Sequence, residues 1–374
     1  MRISVLQDQL AAALTMAVKA IPNKPSLPIL GNVLLYTEGS KLFITASDLE
    51  VSVRTSIGAK VDMHGAITLP AKTLKELVTN FSPERVDIDV DRETLTAKIK
   101  CGTTRTNIKG INADDYPPLP EIKSPDVMLP GDLLKERMKL VAFSAANVEM
   151  RPILTGILFE FDSTSLTLAT ADGYRLATTC MELEAAPTMT KIIPADIVKL
   201  VASAIDEDDA VGIQLFQTGN GESVTFHIGQ TYITTFLLEG KFPDFRAILP
   251  KEWYTQVTVR AEDLLGAAKR AEIFARDSNF STRMQIRISN NPNVTPSDLA
   301  FIGRSAERGD AETILDCIAE GEDIELAFNV RYLQDILNNI EDEEVQIEMI
   351  TAANPIVVNS KAAKYLIMPM GISR

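Results

Sequence analysis

Arg151-Pro152-Ile153-Leu154-Thr155-Gly156-Ile157-Leu158-Phe159-Glu160 runs through Asp162-Ser163-Thr164-Ser165 into Leu166-Thr167-Leu168-Ala169-Thr170-Ala171-Asp172-Gly173-Tyr174-Arg175-Leu176-Ala177. Apolar and small polar residues alternate on either side of turn-forming ones, which reads as a β-hairpin. Ile153, Ile157 and Phe159 lie on its first arm, and Leu166, Leu168 and Thr170 on its second. The same text stands 124 residues upstream, where Leu27-Pro28-Ile29-Leu30-Gly31-Asn32-Val33-Leu34-Leu35 leads on to Ser47-Asp48-Leu49-Glu50. Pro28 and Pro152, Asp48 and Asp172, Pro70 and Pro194, and Lys75 and Lys199 all keep that spacing. A fainter third copy follows at 135 residues: Pro194-Ala195-Asp196-Ile197 answers to Asn329-Val330-Arg331-Tyr332, and the acidic runs 206–209 and 341–344 keep the same offset. A repeat of this kind decides the fold before any single element does. Proline-rich junctions at 116–120 and 242–250 divide the chain into units 1–124, 125–250 and 251–374. Each unit has the size of an ordinary domain.

Within each unit the pattern predicts two helices and roughly eight strands, an α+β arrangement with the helices on one face of the sheet. Helices are expected over 7–21, 70–81, 130–145, 195–205, 261–276 and 330–340. Leu10, Leu14 and Ala17 recur at helical spacing in the first, and Leu74, Leu77 and Val78 in the second. Leu134, Met138 and Val141 do the same in the third.

Charge lies off those apolar faces. Lys72 and Lys75, Lys135 and Lys139, Lys199, Lys269 and Arg276, and Arg331 all sit on expected helices, while the obvious acidic runs sit in turns. One half-exposed helix with lysines on its wet face needs no function. The recurrence across all three units implies a chain of net charge −14 that is nonetheless basic on one surface, able to meet phosphates without reading bases.

Other classes of function find little support. No apolar run approaches the roughly 18 residues of a membrane span, and the first residues lack the apolar region of a signal peptide, so a cytoplasmic protein is expected. Cys101, Cys180 and Cys317 are far apart, which suggests reduced, partly buried thiols. His64 and His227 have no partner at metal-ligand spacing. No phosphate-binding loop or dinucleotide fingerprint occurs. Asp172, followed by glycine, reads as a turn residue rather than an acid–base catalyst. No catalytic residue, cofactor or metal site is therefore expected.

Five short stretches, Leu27–Asn32, Ala171–Ala177, Gly240–Arg246, Ala327–Val330 and Tyr365–Met370, come in this order over the repeat. With them the chain resembles the bacterial β sliding clamps, the beta subunits of DNA polymerase III. The resemblance implies a head-to-tail ring of two chains, each of three clamp-type domains, with helices lining the hole. Such a ring would encircle duplex DNA without sequence preference. It would tether the replicative polymerase and other proteins carrying a clamp-binding motif, and would be placed by a clamp loader. DNA-facing positions would be Lys24, Lys72, Lys75, Lys135, Lys139, Lys199, Lys269 and Arg276. The family's partner-peptide pocket maps to Leu154, Gly173, Tyr174, Arg175, Leu176, Pro243, Arg246, Ile248, Leu366, Met368, Pro369 and Met370. Met and Leu would supply an adaptable groove, and Arg175 and Arg246 polar anchors. Ile108, Ile273 and Phe274 match the ring seam.

Three features depart from the family pattern. Tyr174 stands where many relatives carry histidine, Gly371-Ile372-Ser373-Arg374 extends the usual ending, and Thr106 replaces a larger apolar residue at the seam. The last predicts a dimer that dissociates more readily on dilution. Two other readings are a ring-shaped interaction scaffold with no DNA role, and an enzyme built around Asp172–Arg175.

Overall fold

The computed structural model describes residues 1–147, 151–219, 221–289 and 296–371. The first repeat runs β1 (Arg2–Leu6), α1 (Gln7–Ala17), β2 (Asn32–Glu38), β3 (Lys41–Ser47), β4 (Val51–Gly58), β5 (Lys60–Met63), β6 (Ala66–Pro70), α2 (Ala71–Thr79), β7 (Arg85–Asp91), β8 (Thr96–Cys101) and β9 (Thr104–Lys109). The second runs β10 (Val127–Pro130), α3 (Gly131–Ala142), β11 (Gly156–Asp162), β12 (Ser165–Ala171), β13 (Arg175–Glu182), β14 (Met189–Pro194), α4 (Ala195–Ala202), β15 (Ala210–Thr218), β16 (Gly221–Ile228) and β17 (Thr231–Phe236). The third runs β18 (Thr255–Arg260), α5 (Ala261–Ala275), β19 (Ser281–Arg287), β20 (Ser297–Ser305), β21 (Gly309–Glu320), β22 (Ile324–Asn329), α6 (Val330–Leu337), β23 (Glu344–Met349), β24 (Ile356–Asn359), β25 (Ala363–Ile367) and β26 (Pro369–Met370).

The chain forms two compact units, Met1–Asp132 with Leu200–Leu237, and Leu133–Lys199 with Leu238–Arg374. The first unit holds a sheet of order β5-β1-β7-β8-β9 and another of order β10-β15-β16-β17-β4-β3-β2-β6. The second holds one long sheet, β14-β11-β12-β13-β25-β24-β23-β18-β21-β20-β19-β22-β26. The middle repeat is thus shared out by strand pairing. Its β17 adds antiparallel to β4, with Tyr232 opposite Arg54, and its β13 adds to β25, with Thr178 opposite Lys364.

Local chemistry sets where elements start and stop. In α2 the residues Ala71, Leu74 and Val78 turn inward, and the Asn80 side chain donates to the Glu76 carbonyl at the end of the helix. The Asn329 side chain caps α6 by accepting from Arg331 N. The helix expected over 195–205 stops at Ala202 because the Ser203 hydroxyl bonds back to the Leu200 carbonyl. Pro152–Thr155 is a 3-10 turn rather than strand, closed by the Thr155 hydroxyl on the Pro152 carbonyl, so the first arm of the hairpin begins at Gly156. Pro152, with its fixed φ, opens that turn. Strand β21 is far longer than the 314–318 read from sequence. Its inward positions Ala311 and Thr313 are too small and polar to mark a buried strand face. Gly303 lets α5 sit on β20, because a Cβ there would stand 2.2 Å from the Ala271 carbonyl oxygen.

Apolar side chains fill each unit's interior. Ile29, Leu30, Leu34 and Tyr116 form one cluster in the first, where burial pushes the Tyr116 phenol up to about 12. Cys101 and Cys317 are buried as expected, but Cys180 is exposed on β13. His64 is exposed against the Thr37 hydroxyl. His227 is half-buried, with Nε2 3.1 Å from Gln214 Oε1 and its ring edge-on to Tyr232. Desolvation holds its pKa below the ordinary histidine value. The folded form therefore binds protons less readily than the unfolded chain, and stability is lost as pH falls from the unfolded value near 6.5 through the folded one. The expected result is a melting temperature that drops between pH 7.5 and 5.5 by more in the wild type than in His227→Gln. Equal drops in the two proteins would refute it.

Candidate functional site

Asp172 organises the site from the hairpin outward. Its Oδ1 accepts from Tyr174 N at 2.8 Å and Arg175 N at 2.9 Å, and its Oδ2 accepts from Arg175 Nε at 3.0 Å. Gly173 sits at φ +94°, where a side chain would be strained. This is the turn role read from the sequence. The turn throws Tyr174 outward, 65% exposed, and its carbonyl accepts from Met368 N at 2.8 Å. That bond ties the end of β25 to the turn. Pro369 and Met370 continue as β26, opposite Phe328 and Ala327 of β22.

Beneath this rim lies one apolar cluster. Leu154, Leu176 and Leu366 share it with Leu158, Ile192, Phe242 and Phe245. Phe242 and Phe245 pin down the segment that carries Pro243, Arg246 and Ile248, all three of which remain exposed. Of the expected pocket residues the structure brings Leu154, Leu176 and Leu366 into one cluster with the segment 242–248, and joins Tyr174 to Met368 through the backbone. Exposed Tyr174, Ile248 and Met368 give the site an apolar surface.

The two arginines differ from expectation. Arg175 is no free anchor: its side chain is 10% exposed and pairs with both Asp172 and Asp335. It also donates to the Phe143 carbonyl at 3.0 Å, and its guanidinium lies 4.7 Å from the Tyr332 ring centre and 5.7 Å from that of Phe143. With its charge and donors taken up, it fastens β13 to α6 and to the end of α3. Arg246 pairs with Glu160 and lies over Phe245, but at 55% exposure it stays within reach of a ligand. Sequence reading missed Phe143, Glu160, Phe242, Phe245, Tyr332 and Asp335. The two phenylalanines were visible in the junction 242–250; the others are distant in sequence and carry no local signal. The ending at 372–374 lies outside the described residues.

The basic positions vary in setting. In the first unit Lys24 and Lys72 are exposed and Lys75 is half-buried. In the second, Lys139, Lys269 and Arg276 are exposed, Lys135 is half-buried, and Lys199 pairs with Asp196 at 3.2 Å. Arg331 pairs with Glu272 and stacks on Phe280. Burial works against the charged form of Glu272, but hydrogen bonds from Arg331 and Gln334 outweigh it and hold the carboxyl below its usual range. The sorting of bases onto helices and acids into turns needs correction. Asp8, Asp132, Asp196, Glu262 and Asp263 occupy the first turns of α1, α3, α4 and α5, where the helix dipole favours negative charge.

Of the seam positions, Ile108 lies on the edge strand β9 and is already buried, while Ile273 on α5 is 49% exposed and Phe274 half-buried. A second edge lies in β21, whose residues Gly309–Asp316 pair with β20 alone among the described strands.

Profiles of the DNA polymerase III beta subunit match the chain in three parts: the N-terminal domain over residues 1–120, the central domain over 128–244 and the C-terminal domain over 246–371. A beta sliding clamp of Synechococcus elongatus is 30% identical over 99% of both chains. The chain belongs to the β sliding clamp family. The Escherichia coli beta sliding clamp is 28% identical to this clamp over 99% of it and 100% of the relative. The DNA polymerase sliding clamp of Pseudomonas aeruginosa superposes with a TM-score of 0.89 at 26% identity, with both chains fully covered. That of Bacillus subtilis shares the fold at a TM-score of 0.91 and 24% identity. This clamp is accordingly a non-catalytic subunit that partners DNA and a polymerase in replication. Among the described residues no helix is long and apolar enough to cross a membrane.

Proposed function

We propose that this clamp acts in the cytoplasm as a ring of two copies joined head to tail, each contributing domains 1–124, 125–250 and 251–374. The ring encircles duplex DNA without sequence preference and is placed there by a clamp loader. It holds the replicative polymerase and other clamp-binding proteins through the apolar site around Tyr174 and Met368. Tethering acts by effective concentration, since a partner that lets go stays beside its template.

The pattern of strand pairing carries this reading. A β4-type edge takes up a β9-type strand twice within the chain, as β4 with β17 and β13 with β25. One strand of each type is left over, β9 and β21. Thr104 follows its hairpin partner Cys101 as Thr231 follows Ile228, and Glu312 stands opposite Ile302 as Arg54 stands opposite Thr45. Carried over from the pairing of Tyr232 with Arg54, the register sets Arg105 opposite Glu312, Thr106 opposite Ala311 and Asn107 opposite Asp310 of the partner. Pairing these edges leaves neither open to aggregation.

Two experiments test the binding surfaces. Reversing charge at Lys72, Lys199 and Lys269 together should weaken association with duplex DNA at least tenfold at low salt. It should also flatten the dependence on salt by about 0.9 for each phosphate no longer neutralised. Unchanged affinity and slope would favour the scaffold reading. Met368→Ala with Met370→Ala should weaken a peptide carrying a clamp-binding motif at least tenfold, because the thioethers give the surface its adaptable apolar area. Undiminished binding in a fluorescence anisotropy titration would count against the pocket.

A further inference from the structure

The first unit contains a cavity of about 400 Å³ that the peptide site does not account for. It lies between the turn after β3, the proline segment 117–120 and strands β16 and β17. Two observations there point to a ligand, in a lining that also holds the largely buried Ser52 and Ser223. Leu49, on the rim and half exposed, is held at φ +84°, a conformation that strains any residue but glycine. Such strain persists where the surroundings impose it, and it clusters at binding sites. Glu50, beside it, is exposed and is the only charged residue among the described residues of the lining.

The repeat supplies the comparison. Asp48 makes the same turn as Asp172, with its Oδ1 accepting from Glu50 N and Val51 N. Leu49 therefore stands where Gly173 stands in the second copy, Glu50 where Tyr174 stands and Phe236 where Met368 stands. The cavity is a second edition of that geometry with different chemistry: a carboxylate replaces the tyrosine and a phenyl ring the methionine.

We infer that this cavity is a separate docking site for an extended peptide segment that sets an apolar side chain against Leu49 and Phe236 and a lysine or arginine beside Glu50. The Ser52 and Ser223 hydroxyls take the peptide's backbone groups. An acidic segment is excluded, because the lining offers it a like charge and no base. This inference stands on the cavity's own residues and does not require the peptide site around Met368 to be correct.

The test is hydrogen–deuterium exchange on the full chain with an acetylated, amidated pentapeptide of sequence Ala-Leu-Lys-Leu-Arg. A counterpart with Glu at both basic positions serves as the control. The basic peptide should slow exchange within residues 47–52 and 117–120, and the acidic one should not. Glu50→Lys should raise the concentration needed for half-protection at least tenfold. Leu49→Gly, which suits the backbone there, should leave the fold intact and raise it at least fivefold. The inference is overturned by no protection at millimolar peptide, by protection confined to residues 366–370, by equal protection from the acidic peptide, or by protection that survives both substitutions.

Discussion

Arg105→Glu should split the dimer. In the proposed register Arg105 faces Glu312 across the two edges, so the substitution sets two carboxylates opposite each other on neighbouring strands. Like charges brought together at an interface cost several kcal/mol, and each 1.4 kcal/mol is about a factor of ten in affinity. A dissociation constant raised by about two orders of magnitude is expected from sedimentation or mass photometry. Combining it with Glu312→Arg restores the opposite pair and should recover most of the loss. That recovery separates a register from a general sensitivity to charge, since a double variant as weak as the single one would mean the two side chains do not meet. Thr106 would face Ala311, a pair with little apolar area to bury, so in the proposed seam most of the hold would fall to this charge pair and to Ile273 of α5, which is exposed in the single chain.

Arg175→Ala should be among the most destabilising single changes in the second unit. It removes the guanidinium shared by Asp172 and Asp335, leaves the Phe143 carbonyl without its donor, and takes away the stacking on Tyr332. Breaking a buried ion pair costs about 3–5 kcal/mol. Asp335 is 45% exposed, which lowers the expectation to about 3 kcal/mol. Arg175→Lys should recover little, because a point charge cannot reach two carboxylates and a carbonyl at once. Denaturant titration followed at the second unit is the measurement, and a loss under about 1 kcal/mol would show that the arginine is dispensable. The same variants should weaken peptide binding, since Met368 hangs from the turn that Arg175 helps to hold.

What could be read in advance follows from how information is spread along the chain. The hairpin around Asp162, the six helices and the threefold repeat are local or periodic, and a single sequence displays both. The proline that opens the 152–155 turn and the serine that closes α4 are also local, but each acts on one or two residues and moves an element's end without changing its existence. The length of β21 was hidden for a different reason: its inward positions are alanine and threonine, which leave no mark of a buried face. The pocket's apolar residues came through the family resemblance, and Leu154, Leu176 and Leu366 among them share one cluster. The fate of Arg175 was not legible, because its partners Phe143, Tyr332 and Asp335 come from two other helical regions, and only folding shows that its charge is already spent. The cavity beside Leu49 was hidden in plain view: the repeat aligned Leu49 with Gly173, but nothing in the sequence gave its backbone conformation.

Direct imaging of the purified protein at micromolar concentration tests the central claim. Closed rings of six similar lobes around an open centre are the predicted result, because each chain supplies three domains and the two leftover edges meet twice. Isolated three-lobed chains, or filaments that grow without closing, would contradict it.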